Sequence, residues 1–240
     1  MFYCLFKWLV LVPLLRWPLR PRVEGRGRVP GRGPVIVAGN HQSFADQFLL
    51  GVTLRRRINF LAKQEYFTGP GLRGRLTAAF FRGIRAIPVD RSGGGAGRAG
   101  FAAGLGVLGR GELLGIFPEG TRSHDGRLYK GRVGVAALAL RTGAPVVPCA
   151  LIGTFEALPR GRRVPRRVPV TVRFGRPLDF SRYADGLGGR EPDHAVLRAV
   201  TDEIMDTVRE LSGQDYVDTY ASEAKRAERV ERETAPVVTA

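Results

Sequence analysis

Apolar residues fall in short runs separated by stretches rich in glycine, proline and arginine, and the period of the pattern changes along the chain. Val35-Ile36-Val37-Ala38 is an unbroken apolar run, opened by Gly33-Pro34 and closed by Gly39. Such a run predicts a strand buried on both faces. Ile58–Lys63, Leu113–Phe117, Ala144–Gly153 and Val168–Phe174 predict further strands, with a three-residue strand at Arg22-Val23-Glu24. Between them the spacing turns helical. Phe48, Leu49, Leu50, Val52 and Leu54 suit a mostly buried helix, and residues 98–110 suit a glycine-weakened one with Phe101, Leu105 and Leu108 inward. Residues 133–142 predict a buried helix stopped by Gly143. Val196, Val200, Ile204, Val208 and Leu211 recur at helical spacing with Asp202, Glu203 and Arg209 outside, the mark of a docked amphipathic helix. Strands alternating with helices predict an α/β fold.

The two ends depart from this pattern. Residues 1–19, MFYCLFKWLVLVPLLRWPL, are apolar and aromatic, but Lys7 and Arg16 interrupt them. The longest uncharged piece, Trp8 to Leu15, is far shorter than the ~20 residues of a spanning helix. No cleavage-site pattern follows, so a signal peptide is not expected. Trp8, Trp17, Phe2, Phe6 and Tyr3 are types that settle at a headgroup boundary, and Arg16, Arg20, Arg22, Arg26, Arg28 and Arg32 follow closely. The expectation is a monotopic membrane-associating segment on the cytoplasmic face; a buried helix covering the sheet is the other reading. The chain then divides into this segment (1–19), a basic linker (20–32), one folded domain (33–212) and a charged tail (213–240), read as either a solvated helix or a disordered one.

Charge narrows the partners. Thirty-eight basic against 22 acidic residues give a net charge of +16. That favours phosphate-bearing partners: nucleic acid, an anionic bilayer or phosphorylated small molecules. No aromatic RNA-binding or zinc signature is present, so nucleic acid is not expected. Cys4 and Cys149 are far apart in apolar surroundings and are expected as free thiols.

Candidate chemistry begins where the first buried strand ends, at Asn40-His41-Gln42-Ser43-Phe44-Ala45-Asp46. Ser43 with Asp46 resembles a capping box and predicts a helix starting at Ser43. His41 then lies in the strand-to-helix turn, where its ring can fold back onto the Asp46 carboxylate. A carboxylate on one ring nitrogen fixes the tautomer and leaves the other as a base. The bland alternative is a capping or core hydrogen-bond pair. A second motif, Phe117-Pro118-Glu119-Gly120-Thr121-Arg122-Ser123, also follows a strand, where open α/β sheets gather their sites. Its Glu119, Gly120, Thr121 and Arg122 offer backbone donors, a hydroxyl and an anion-pairing guanidinium. Lys130 and Arg132 add positive charge, while His124 is read as an exposed turn residue. Lys63, at a strand end, is either a charge facing the pocket or a solvated surface lysine.

Together NHQSFAD and FPEGTRS resemble the first and third signature blocks of the 1-acylglycerol-3-phosphate (lysophosphatidic acid) acyltransferase family of glycerolipid acyltransferases. His41 and Asp46 meet its His, four residues, Asp pattern, and Phe117 to Ser123 meet the other block in full. Ala62-Lys63-Gln64-Glu65-Tyr66-Phe67 and Pro148 match further family segments. Val89-Asp90-Arg91 aligns Arg91 with the family's functional arginine, but Arg85 stands where a glycine is usual, with Gly83 two residues early. The resemblance covers about residues 23–180. It implies a central mixed β-sheet flanked by helices and preceded by an apolar N-terminal membrane-associating helix. It further implies acyl transfer from acyl-CoA or acyl carrier protein to 1-acylglycerol 3-phosphate at a membrane surface. His41 would be the general base oriented by Asp46, with Arg91, Glu119, Gly120, Thr121, Arg122 and Lys63 around the acceptor. No metal or cofactor is implied; glycerol 3-phosphate or another lysophospholipid is the alternative acceptor.

Overall fold

The computed structural model describes residues 19–90, 95–159, 161–162, 164–186 and 190–234. Strands and helices alternate as the pattern predicts. They are β1 (Arg22–Glu24), β2 (Val35–Gly39), α1 (Asp46–Thr53), β3 (Ile58–Lys63), α2 (Gly71–Gly83), β4 (Ala86–Val89), α3 (Ala96–Gly109), β5 (Leu113–Ile116), β6 (Leu128–Tyr129), α4 (Gly134–Thr142), β7 (Val146–Ile152), α5 (Thr154–Ala157), β8 (Thr171–Phe174), α6 (Ser181–Gly186), α7 (His194–Ser212), β9 (Tyr216–Val217) and α8 (Ala221–Thr234). Seven strands form one sheet in the order β1-β8-β7-β2-β5-β3-β4. Neighbours are parallel except β7 and β8, so the sheet is mixed, as expected.

The unbroken apolar run of β2 has its physical reason in this order. β2 lies between β5 and β7 with both faces covered, so neither set of alternating side chains can be polar. Val35 and Val37 join the layer with Phe48, Leu49 and Leu50 of α1; Ile36 and Ala38 join the opposite layer with Val107, Val135, Leu138, Val200 and Ile204. The stripe on α7 is correctly placed: Val200, Ile204 and Val208 are buried, Asp193 caps the helix by accepting from the Val196 amide at 2.8 Å, and Gly213 ends it with φ of 70°.

Three expectations need adjustment. The first helix starts at Asp46, not Ser43, because the Ser43 hydroxyl donates to the Leu158 carbonyl (3.0 Å) and accepts from the Ala45 amide (3.2 Å). The half of the capping box that survives is the reach of Asp46 back to the Ser43 amide at 2.7 Å. The expected strand at Arg22–Glu24, assigned to the linker, belongs to the domain's sheet and forms its edge against β8. Of the two readings of the charged tail, a largely exposed helix is present as α8, but the segment also joins the domain: β9 pairs with β6 in a two-stranded sheet, and Ala221 at the head of α8 is fully buried. The membrane-associating segment lies outside the described residues save Leu19, which is buried in the core. Among the described residues no helix is long and apolar enough to cross a membrane.

Gly115 in β5 makes room for a ring. A Cβ there would meet the Phe60 ring at 2.2 Å. Phe60 stacks on Phe117 (centroids 5.8 Å apart, 9° between planes), and Phe117 on His41 (4.0 Å, 10°). Gly115→Ala is therefore expected to cost ~1–3 kcal/mol in urea unfolding, as overpacked cores do, and to lower activity through the tilted stack.

Candidate active site

Because β2 and β5 are parallel neighbours paired from Val35↔Leu113 to Ala38↔Ile116, the loops that follow them emerge side by side. That adjacency brings the two sequence motifs together, although 78 positions separate His41 from Glu119.

Asp46, fully buried in the first turn of α1, gathers three donors on one oxygen. Its Oδ2 accepts the amides of Gln42 and Ser43, each at 2.7 Å, and lies 2.9 Å from His41 Nδ1. A carboxylate at Nδ1 assigns the ring proton to that nitrogen and leaves Nε2 as an acceptor. The ring is fixed by this bond on its edge and by Phe117 on its face, and it lines a cleft of about 660 Å³. The geometry of a base oriented by a carboxylate, expected from the sequence, is present.

The turn bearing His41 is strapped to the second loop from beneath. Glu119 Oε1 accepts the His41 amide at 2.8 Å while Oε2 accepts the Tyr129 amide at 3.1 Å. The Ser123 amide donates to the His41 carbonyl at 2.7 Å. Burial pushes the Glu119 carboxyl up to about 8, outweighing the two amides that favour the charged form. Glu119 was expected beside the acceptor, but its carboxylate faces these backbone amides and it is not among the cleft-lining residues. Asn40 extends the β2–β7 ladder with its side chain: Oδ1 accepts the Leu151 amide at 2.7 Å, and Nδ2 donates to the Leu151 carbonyl (3.1 Å) and to Gln214 Oε1 (2.6 Å).

Charge collects on the lip of the cleft. Gly120 turns the loop with φ of +73°, a conformation that favours glycine. It lines the cleft with Thr121, Arg122 and Arg132. Lys63 stands exposed at the end of β3, on the edge of the same cleft. Arg91 falls outside the described residues. Lys130, by contrast, is engaged with Asp218 at 2.8 Å. His124 is not an exposed turn residue but half-buried, 3.3 Å from the Tyr129 hydroxyl and 3.5 Å from Glu228. Deeper in, the lining is apolar: Phe48, Ile58, Phe60, Phe81 and Leu138 among others.

Sequence reasoning missed Asn40, Gln214 and Lys225. Lys225 Nζ donates to Thr121 Oγ1 at 3.0 Å and to the Arg122 carbonyl, so α8 clamps the loop it covers. Asn40 could have been noticed from its place next to His41. Nothing in the alternating charges of residues 221–234 sets Lys225 apart from a solvated lysine.

The Glu119 strap has a pH consequence. Its folded pKa lies above the ordinary 4.5, so the folded state holds a proton that the unfolded chain has released. This contribution to stability is full below about pH 4.5 and is lost as pH rises to about 8. Glu119→Gln removes that pH-dependent component but turns an amide N–H toward the Tyr129 N–H. We expect the variant to be less stable by ~1–3 kcal/mol and to show a flatter stability profile between these limits, measured by urea unfolding across the range.

Comparison with known proteins places the chain in a family. The chain is 28% identical over 195 residues to a 1-acyl-sn-glycerol-3-phosphate acyltransferase of Bacillus subtilis, covering 80% of this chain and 88% of that one. It is 31% identical over 140 residues to a chloroplastic 1-acyl-sn-glycerol-3-phosphate acyltransferase of Arabidopsis thaliana, covering 58% of this chain but only 38% of that longer protein. The fold is similar to the crystal structure of the 1-acyl-sn-glycerophosphate acyltransferase PlsC from Thermotoga maritima, with a TM-score of 0.61 at 24% identity over 88% of this chain and 78% of that one. The Acyltransferase family model matches residues 20–152, more than half the chain and the part that holds both signature loops. On that match the chain belongs to the Acyltransferase family.

Proposed function

We propose that the protein transfers a fatty acyl group from acyl-CoA or acyl carrier protein to the free hydroxyl of 1-acylglycerol 3-phosphate, giving phosphatidic acid, at the cytoplasmic face of a membrane. The observation that carries this reading is the His41–Asp46 pair, joined at 2.9 Å on a cleft that is cationic at its lip and apolar in its depth. Such a cleft suits a molecule with a phosphate at one end and a hydrocarbon chain at the other. The names borne by the relatives support the same substrate.

In this mechanism the acceptor hydroxyl lies against His41 Nε2, which takes its proton as the oxygen attacks the thioester carbonyl. Asp46 steadies the imidazolium that forms, as the carboxylate of a hydrolase triad does. Collapse of the tetrahedral intermediate breaks the carbon–sulfur bond, and the imidazolium returns the proton to the departing thiolate. No covalent acyl-enzyme is required. Ser43, the hydroxyl nearest in sequence, is buried and donates to the Leu158 carbonyl, which suits a structural role. Arg122 holds the acceptor phosphate, with Arg132, Lys63 and Arg91 as further cations; Gly120 and Thr121 shape the turn that presents Arg122. Arginine suits this task because its planar fork matches two phosphate oxygens at once.

Two variants test the assignment. His41→Ala is expected to keep the wild-type unfolding midpoint to within a small shift while acyl-CoA-dependent thiol release falls by about 10²–10⁴-fold; substantial residual turnover would remove His41 from its role. Arg122→Ala is expected to raise the KM for a phosphorylated acceptor far more than it lowers kcat. Steady-state kinetics against a panel of lysolipids and glycerol 3-phosphate checks this, and an unaltered KM would place the phosphate elsewhere.

A further inference from the structure

Helix α2 forms the outer wall of the apolar half of the cleft. Phe81, on its inner side, stacks on Tyr66 (4.5 Å, 3°) and lines the cleft, while Phe80, four residues after Leu76, packs on Phe48 (centroids 5.8 Å apart). Its outer side carries Leu72 and Leu76, exposed to 72% and 63%. One helical turn apart, these two project on the same side. Arg73, Arg75 and Arg82 are exposed around them, and from Tyr66 to Val89 the sequence has no acidic residue. Phe44 and Tyr66, two more of the exposed large apolar side chains, both line the cleft.

A single exposed leucine needs no explanation. Here two exposed leucines lie among arginines, and the row they begin runs on to Phe80, whose contacts with Phe48 and then Phe44 lead to the aromatic rim of a lipid-sized cleft. We propose that α2 is a lipid-docking element. It lies on an anionic bilayer with Leu72 and Leu76 at the acyl boundary and Arg73, Arg75 and Arg82 against headgroup phosphates, which sets the Phe44–Tyr66 rim facing the lipid. Helices that lie in the membrane interface combine apolar and basic side chains in this way. A second copy of the chain is a poor occupant, because two such helices would oppose arginine to arginine and α2 itself carries no acidic residue. The purpose of the docking rests on the acyl-transfer reading above; the docking itself is testable without it.

The test uses the full chain carrying Cys4→Ser and Leu76→Cys, labelled at position 76 with an environment-sensitive nitrobenzoxadiazole dye. Val230→Cys on α8 serves as the control site. On vesicles of phosphatidylcholine with phosphatidylglycerol, the dye at 76 is expected to shift its emission to the blue and to be quenched by a lipid-borne quencher. Phosphatidylcholine alone or high salt should weaken the response, and the dye at 230 should remain aqueous. An aqueous signal at 76 would overturn the proposal whether or not the protein sediments with vesicles. So would a concentration-dependent shift at 76 without vesicles, which would point to self-association.

Activity supplies the second arm. Leu72→Ser/Leu76→Ser alters only exposed side chains and is expected to lower kcat/KM for vesicle-embedded acceptor by about tenfold, since two apolar side chains lose their burial. The same variant should match wild type on a monodisperse short-chain acceptor, and equal loss on both acceptors would overturn the proposal. Wild type inactive on both acceptors would instead retire the acyl-transfer reading, and the dye at 76 would still decide whether α2 docks.

Discussion

One carboxylate oxygen fixes the geometry of the site. Asp46 Oδ2 stops two backbone amides, starts a helix and aims an imidazole, all from a position closed to water. Each task constrains the others. The amides hold the chain in the tight path that lets residue 41 fold back onto residue 46, and the start of α1 fixes where the carboxylate stands. An isolated buried carboxylate would be costly. Here the donors that offset this cost are the same groups whose positions the chemistry requires.

Around that oxygen, polar groups are divided by burial. Glu119, out of contact with solvent, links two loops through backbone amides, while Arg122 and Arg132 remain at the opening. The ring column Phe60–Phe117–His41 joins the two regions, with a hydrocarbon lining at one end and a base at the other. On the function proposed above, an amphiphile in such a cleft would be sorted along its length: phosphate to the guanidinium groups, chain to the phenylalanines, and the hydroxyl between them to the imidazole.

Much of this was legible in the sequence because it depends on local pattern. The β2 run announces burial on both faces, the α7 stripe its packed side, and the two loop motifs their places at strand ends. Three matters were not legible. The start of α1 depended on whether Ser43 would cap its own helix or reach Leu158, 115 positions away. The role of Glu119 turned on whether its carboxylate faced the cleft or the backbone, and sequence spacing carries no such direction. The attachment of Gln214 and Lys225 to the domain depended on partners such as Asn40 and Thr121, which no periodicity within that segment reveals. Local rules found the elements; distant hydrogen bonds assigned the tasks.

The link between Asn40 and Gln214 spans 174 positions. During synthesis the residue beside the base leaves the ribosome long before the glutamine that completes its hydrogen bonding, and Lys225 reaches Thr121 later still. All the strands of the central sheet precede Gln214 and Lys225 in the chain, so the pairing of the sheet does not itself require these clasps. Emergence of the strands of the central sheet thus precedes emergence of the residues that brace the two loops.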